Sequence, residues 1–296
     1  MKKLLYLAFW FFRARFMGRK APLQTVLFIL DRCNLQCKHC SVYQTENQHV
    51  MTYEQVRDHL RYSYRLGSRF VDFEGGEVML WRDGEHDINS LIDLARQIGF
   101  FSATVTTNAQ LPFSSCRADS IWVSLDGVGG FHEQIRGEGT FARLEKHIAT
   151  SGHKHLSVNM VVNSLNHTSV EQTIEYAARN PAIESISINF HTPFPGTEYL
   201  APGPEIKNAV IDKVIAFKKK RYPIMNSVSG LKKMKGNNFK RRCWVTNFIY
   251  ADGSRGPCAG YGTEICQACG FCMAGEMASV FAFCPDTILA GMKLRV

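Results

Sequence analysis

The chain has 296 residues, 45% of them apolar and 21% charged, a composition that excludes a disordered chain and suits one large α/β domain or a barrel with an appendage. Ten cysteines are many for an enzyme of this length, and disulfide frameworks belong mainly to short secreted chains, so metal ligation is the better reading. The net charge of +9 is concentrated in two runs without acidic residues, 1–20 and Lys218 to Arg242, each suited to anionic lipid, nucleic acid, an acidic partner or simply a solvated face.

At the N-terminus, Lys2 and Lys3 precede an apolar run from Leu4 to Phe12, and Arg13, Arg15, Arg19 and Lys20 follow. A secretory signal is a poor fit because no small-residue cleavage site follows the run. Spanning a bilayer takes about 20 apolar residues, more than this run offers. Aromatics flanked by cations instead predict a helix in residues 2–20 that either lies in a membrane interface or caps the fold.

From residue 24 onward, strand-like runs alternate with helical periodicity. "TVLFIL" (25–30) reads as a buried strand. After a cysteine-bearing loop, Thr52 and Gln55 form a capping box for a helix that Gly67 ends. "FVDFEGGE" is the next strand; Asp87 and Gly99 then bracket a helix with Ile88, Leu91, Ile92 and Ala95 on one face. "SATVTTN", "SIWVSLDG", "LSVNMVVN" and "SISINF" add four strands, with helices at "TFARLEKHIATSG" and "SVEQTIEYAARN". Six strands with mostly helical crossovers predict a parallel sheet, and polar motifs at the strand ends predict a partial (β/α)6 TIM-like barrel. A helix from Glu205 to Arg221 leads into the basic linker, after which six cysteines fall between Cys243 and Cys284. The expected division is a basic aromatic helix (1–22), a barrel (23–225) and a small cysteine-rich α+β extension (226–296).

The first strand is followed directly by "DRCNLQCKHC", with Cys33, Cys37 and Cys40 at C-x3-C-x2-C spacing. Ferredoxin-type 4Fe-4S sites give each iron a thiolate; three local thiolates leave one iron open, which marks a catalytic metal rather than a structural one. This motif after a first barrel strand resembles the radical S-adenosylmethionine (radical SAM) superfamily. The resemblance implies that Cys33, Cys37 and Cys40 hold a 4Fe-4S cluster whose open iron takes the amino and carboxylate groups of S-adenosylmethionine (SAM). Neighbouring segments agree in order. "EGGE" resembles the family's Gly-Gly-Glu-Pro motif, with Val78 in place of proline; it implies that Gly75 and Gly76 let backbone approach the cofactor and that Glu77 accepts from its ammonium group. Asn108 in "VTTNA", and Ser124 and Asp126 in "VSLDG", match the next two strand ends. Arg136 matches an arginine on the cofactor carboxylate, His39 the position of an aromatic near the adenine, and Asn166 a contact to ribose or adenine. Each alone has a bland reading as a turn, a cap or a surface residue.

Cys243, Gly253 and Cys258, followed by Cys266, Cys269, Cys272 and Cys284, resemble the auxiliary-cluster extensions called SPASM and twitch, although the full SPASM pattern has seven cysteines. The resemblance implies one auxiliary 4Fe-4S cluster. Cys243 and Cys258 flank a hairpin with an Asp-Gly turn and are expected to pair with Cys269 and Cys272 first; structural zinc is the alternative. Cys116 lies outside both sets. His191, in "NFHTPFPG" after the sixth strand, is more readily a satisfied structural histidine than a proton donor.

The implied activity is reductive cleavage of SAM to a 5′-deoxyadenosyl radical acting on a peptide or a membrane-associated lipid. A flavodoxin- or ferredoxin-type reductant, a cytoplasmic setting and peripheral membrane contact through residues 2–20 go with it. The rivals are a non-catalytic iron–sulfur carrier and a zinc-stabilised basic protein. The carrier leaves the three-thiol site unexplained; nucleic-acid binding through Lys218–Arg242 lacks a recognised motif and stacking aromatics near the basic run.

Overall fold

The computed structural model of the protein describes residues 2–40, 48–258 and 260–295. Helix α1 (Lys2–Phe16) precedes strand β1 (Gln24–Phe28). Strands β2 (Phe70–Glu74), β3 (Ser102–Thr107), β4 (Ser120–Ser124), β5 (Leu156–Val162) and β6 (Ser185–Phe190) follow, interspersed with helices α2 (Tyr53–Leu66), α3 (Ile88–Ile98), α4 (Gly130–Arg136), α5 (Thr140–Ala149) and α6 (Val170–Arg179). Their ends are where local chemistry puts them. The α2 capping box joins Thr52 and Gln55, and Gly67 ends the helix at φ 117°, a left-handed position that glycine takes without a Cβ penalty.

The six strands stand in the order β6-β5-β4-β3-β2-β1, each parallel to its neighbours. Parallel pairing brings every strand's C-terminal end, and the loop after it, to one rim. The sheet is not closed. Beyond β1 it continues with β7 (Thr246–Ile249), parallel to β1, and β8 (Arg255–Gly256), antiparallel to β7. The predicted Asp-Gly hairpin is therefore present, with Asp252 Oδ1 accepting from Ser254 N at 2.8 Å.

Helices α7 (Pro204–Lys219), α8 (Val228–Gly236), α9 (Cys272–Val280) and α10 (Pro285–Arg295) complete the chain. Helix α8 lies within the stretch read as a basic linker. Its Leu231 and Met234 join the barrel core, while Lys232 and Lys233 are exposed, so part of the charge run is the solvated face of a helix. The residues assigned to a C-terminal extension are joined to the barrel through β7 and through this core.

Helix α1 sits across the end of the sheet opposite the rim. Tyr6 Oη donates to Gly67 O just ahead of β2, and Trp10 Nε1 donates to Ala21 O at 2.8 Å. Trp10, Ala14, Leu23, Phe70, Val245 and Phe281 form a second apolar cluster there. The opposite face of the same helix leaves Leu5, Phe9 and Phe16 exposed, at 64%, 58% and 59%. One face thus caps the fold while the other meets solvent. No single helix among the described residues is long and apolar enough to cross a membrane.

Candidate functional site

All three cysteines of the first motif lie on the loop that leaves β1 at the rim. Cys40 N donates to Cys37 O at 3.0 Å, a tight turn, and Lys38 N donates to Ile135 O at 3.0 Å, tying the loop to α4. Burial pushes the Cys37 thiol up to about 11 against the opposing pull of Arg136, and burial raises Cys33 as well; both feel the charge of Cys40. Among the described residues, no three of His, Cys, Asp and Glu stand close enough to hold a metal ion. The three thiols share one loop and one electrostatic field, and they are soft donors of the kind that selects iron–sulfur clusters.

The loop after β2 packs directly against the cysteine loop. Gly76 N donates to Leu30 O and Glu77 N to Arg32 O, at 2.8 and 2.9 Å. A Cβ on Gly75 would stand 2.2 Å from Leu30 O, and one on Gly76 2.0 Å from Arg32 O. The observed reason for both glycines is therefore the close approach of these two backbones. Glu77 also has a structural part. Its carboxylate is fully buried and accepts from Thr107 Oγ1 and Asn108 N, both at 2.7 Å, and from Met79 N at 3.0 Å. Burial still raises its pKa, with these donors opposing. Glu77 braces the loop after β2 against the end of β3, with two donors on Oε1 and one on Oε2, which leaves Oε2 able to accept once more. Asn108 turns back to the cysteine loop, its Nδ2 2.8 Å from Asn34 Oδ1 and 3.7 Å from Cys33 Sγ.

Beneath Cys37 lies a buried charged group. Arg136 Nε donates to Asp126 Oδ2 at 2.7 Å, and its Nη1 stands 3.9 Å from Cys37 Sγ. Burial works to raise the Asp126 carboxyl, but Arg136, His39, His132 and the Val161 N–H together outweigh it and hold the pKa below the ordinary value. Asp126 Oδ1 also accepts from Val161 N at 3.0 Å. His39 Nε2 lies 3.7 Å from Asp126 Oδ2, and its buried Nδ1 has no partner among the described residues. Burial lowers His39 to about 4, so its ring is neutral near pH 7. An orphaned, neutral ring nitrogen beside the three-thiol loop suits a ligand that brings its own polar group. Asn166 has a structural part. Its Nδ2 donates to Asp126 O and Val161 O, its Oδ1 accepts from Asn163 N, and it is fully buried. Ser124 ends β4 opposite Asn159. His191 bonds through Nε2 to Thr197, at 3.0 Å to O and 3.1 Å to Oγ1, the satisfied histidine expected.

The concave face of the sheet encloses a cavity of about 750 Å³ that the sequence reading missed. At the rim it reaches His39, Cys40, Glu74 and Gly75; along the strands it is lined by Asp72, Thr104, Thr106, Asn159 and Asn189; at the far end it reaches Leu4, Leu7 and Ala8 of α1. Burial, then the charge of Asp72, lift the Glu74 carboxyl to about 7. The available signal was alternation: in "SATVTT" and "SISINF" every second residue is polar, and in "FVDFE" Asp72 and Glu74 share one face, where a filled barrel interior calls for bulky branched ones.

The second cysteine set is gathered partly as expected. Burial, then the charges of Cys258, Cys269 and Cys266, raise Cys243 to about 11, so these four thiols share one neighbourhood. Cys272, expected among the first ligands, is buried in the wall of the central cavity, with its N–H on Asn189 Oδ1 at 2.8 Å, and feels the charge of Cys269. Cys284 follows α9, with its N–H on Ser279 O. Cys116 is buried in the core, away from both sets.

An open, mostly parallel half-barrel with three thiols on the loop after its first strand defines a class of iron–sulfur protein. The profile of the Radical SAM superfamily matches residues 27–177, just over half of the chain, and the protein belongs to that superfamily. A probable GTP 3′,8-cyclase of Methanocella arvoryzae is 27% identical over 183 residues, covering 56% of this chain and 57% of the relative. A GTP 3′,8-cyclase of Clostridium botulinum is 25% identical over 184 residues, covering 55% and 53%. The chain thus spans little more than half the length of these relatives. Among solved structures, Streptococcus suis SuiB bound to S-adenosylmethionine superposes with a TM-score of 0.65 at 17% identity, covering 83% of this chain and 62% of that one. The structure of anSMEcpe with bound AdoMet gives 0.64 at 18% identity, covering 82% and 76%. At such identities the likeness is one of fold.

Proposed function

We propose that this protein is a radical SAM enzyme in which Cys33, Cys37 and Cys40 hold a 4Fe-4S cluster and a substrate is held in the central cavity. The observation that carries the reading is the three-thiol loop at the rim of a hollow half-barrel, with Arg136 beside Cys37 and the orphaned Nδ1 of His39 beside Cys40. When bound, the cluster and SAM supply a 5′-deoxyadenosyl radical by one-electron cleavage of the sulfonium. The chain's own residues do the rest. Arg136, anchored on Asp126, offsets thiolate charge at Cys37. His39, Asn108, Ser124 and the backbone at Gly75 and Gly76 line the space for SAM, and the enclosed cavity keeps water and stray hydrogen donors from a radical.

The neighbourhood of Cys243, Cys258, Cys266 and Cys269 supports one auxiliary 4Fe-4S cluster, within the segment 226–296. The electron comes from a flavodoxin- or ferredoxin-type donor in the cytoplasm. The exposed apolar face of α1 with its flanking cations supports peripheral contact with an anionic membrane. The substrate is then a peptide or a membrane-associated lipid; SuiB is known bound to its precursor peptide SuiA, and anSMEcpe with a Cp18Cys peptide. The test is anaerobic reconstitution with iron and sulfide, reduction in the presence of SAM, and chromatography for 5′-deoxyadenosine. Nucleoside from the wild type and none from Cys33→Ala/Cys37→Ala/Cys40→Ala is the expected result; none from either, at full iron content, returns the protein to the class of electron carriers.

A further inference from the structure

The central cavity runs the length of the barrel. Ser102, Thr104 and Thr106 all line it, and four residue steps along a strand at ~3.3 Å each make this stretch about 13 Å long. Below Ser102 it passes between α1 and α10. Leu4 and Ala8 both line it and are exposed, so they frame an opening at the end away from the cysteine loop. The lining changes along the way. Near the opening the helices contribute an apolar wall, with Leu7, Phe11, Met277, Val280 and Ile288, facing the neutral polar strand starts Gln24, Ser102, Ser120 and Thr246; towards the rim it carries the carboxylates Asp72 and Glu74 with Asn159 and Asn189. Among the described lining residues there is no lysine or arginine, although the chain as a whole is at +9. The exposed apolar side chains of α1, Leu5 and Phe9, stand next in sequence to the two residues that frame the opening.

We infer that this bore is a substrate tunnel loaded from a membrane through its base, and that its ligand is an amphiphile with an apolar tail and a hydrogen-bond-donating head without negative charge. The inference deepens the enzyme reading above and rests on it for the chemistry. The carboxylates and the apolar helix wall set the orientation: the head lies at Glu74, beside the cysteine loop, and the tail runs along α1, α9 and α10 to the opening. An anionic head, a phosphate above all, meets carboxylates and no cation, and is rejected by unpaired charge.

The test uses the full-length apo chain and the uncharged dye Nile red, displaced by hexadecylamine, hexadecanol or hexadecyl phosphate. The amine and the alcohol are expected to displace it, and the phosphate to bind at least about tenfold more weakly. Ala8→Trp, which narrows the opening, is expected to weaken the alcohol about tenfold with the thermal midpoint unchanged. A second readout needs no blocked variant: hexadecylamine brominated at the tail end quenches tryptophan emission in the wild type and much less in Trp10→Phe. Equal binding of the phosphate, displacement by a soluble apolar peptide but not by the alcohol, or no dependence on Trp10 overturns the inference. Because the apo chain carries no cluster, amphiphile binding without SAM cleavage sinks the radical reading and leaves the tunnel standing, and the converse sinks the tunnel alone.

Discussion

Arg136 donates through Nε to Asp126 Oδ2 at 2.7 Å while its Nη1 stands 3.9 Å from Cys37 Sγ, so one guanidinium joins the end of β4 to the cysteine loop after β1. Removing one partner of a buried pair strands the other. Arg136→Met is expected to destabilise the apo chain by about 3–5 kcal/mol, and Arg136→Met/Asp126→Leu by clearly less. Urea unfolding of the three proteins measures it; equal losses in the single and double variants would show that the pair contributes little.

The loop after β2 offers a sharper steric test. Gly76→Ala places a Cβ 2.0 Å from Arg32 O, and such overlap is expected to cost about 4 kcal/mol or more or to displace the cysteine loop. Glu77→Gln turns an amide group towards Asn108 N–H and is expected to cost about 1–3 kcal/mol. Thermal unfolding compares them, and iron bound after reconstitution shows whether the loop has moved.

The grouping of the second cysteine set predicts unequal iron contents. Cys266→Ala is expected to lose about four irons per chain relative to wild type, whereas Cys284→Ala retains them. Iron and sulfide analysis decides; zinc in place of iron, or a loss in Cys284→Ala alone, would reassign the site.

Glu74 predicts a pH dependence with a definite sign. Its folded-state pKa of about 7 lies above its ordinary value of 4.5, so the folded chain binds the extra proton between those values and loses stability as pH rises through the window. Buried neutral histidines such as His39, lowered from 6.5 to about 4, work the opposite way, gaining stability as pH rises from about 4 to 6.5. The difference between wild type and Glu74→Gln isolates the carboxylate: relative to the variant, wild type is expected to weaken from pH 4.5 to 7. A flat difference in denaturant midpoints removes Glu74 from the account.

Membrane contact turns on the outer face of α1. Trp10 and Phe11, obvious aromatic handles in the sequence, pack inward against Phe281, so a charged residue at either tests folding as much as membrane binding. Leu5→Glu/Phe9→Glu alters the exposed face instead and is expected to weaken co-sedimentation with phosphatidylglycerol-containing vesicles by about tenfold or more. Unchanged sedimentation assigns that face to another role.

Much of the barrel and the position of the first motif were legible in the sequence because they rest on local chemistry. A capping box at Thr52 and Gln55, a left-handed stop at Gly67 and cysteines directly after a buried strand each act within a few residues of chain. What the tertiary structure decided depends on groups far apart in sequence. That Glu77 also accepts from Thr107 and Asn108, and that α9 carries Cys272 into the cavity wall beside Asn189, shows only in the folded chain. The charge run around α8 is divided by a helix whose Leu231 and Met234 find the core. The hollow interior required both levels: alternation wrote Asp72, Glu74, Asn159 and Asn189 into the strands, but only an unclosed sheet, with α1 across one end and a cysteine loop at the other, turns those residues into a bore with two different ends.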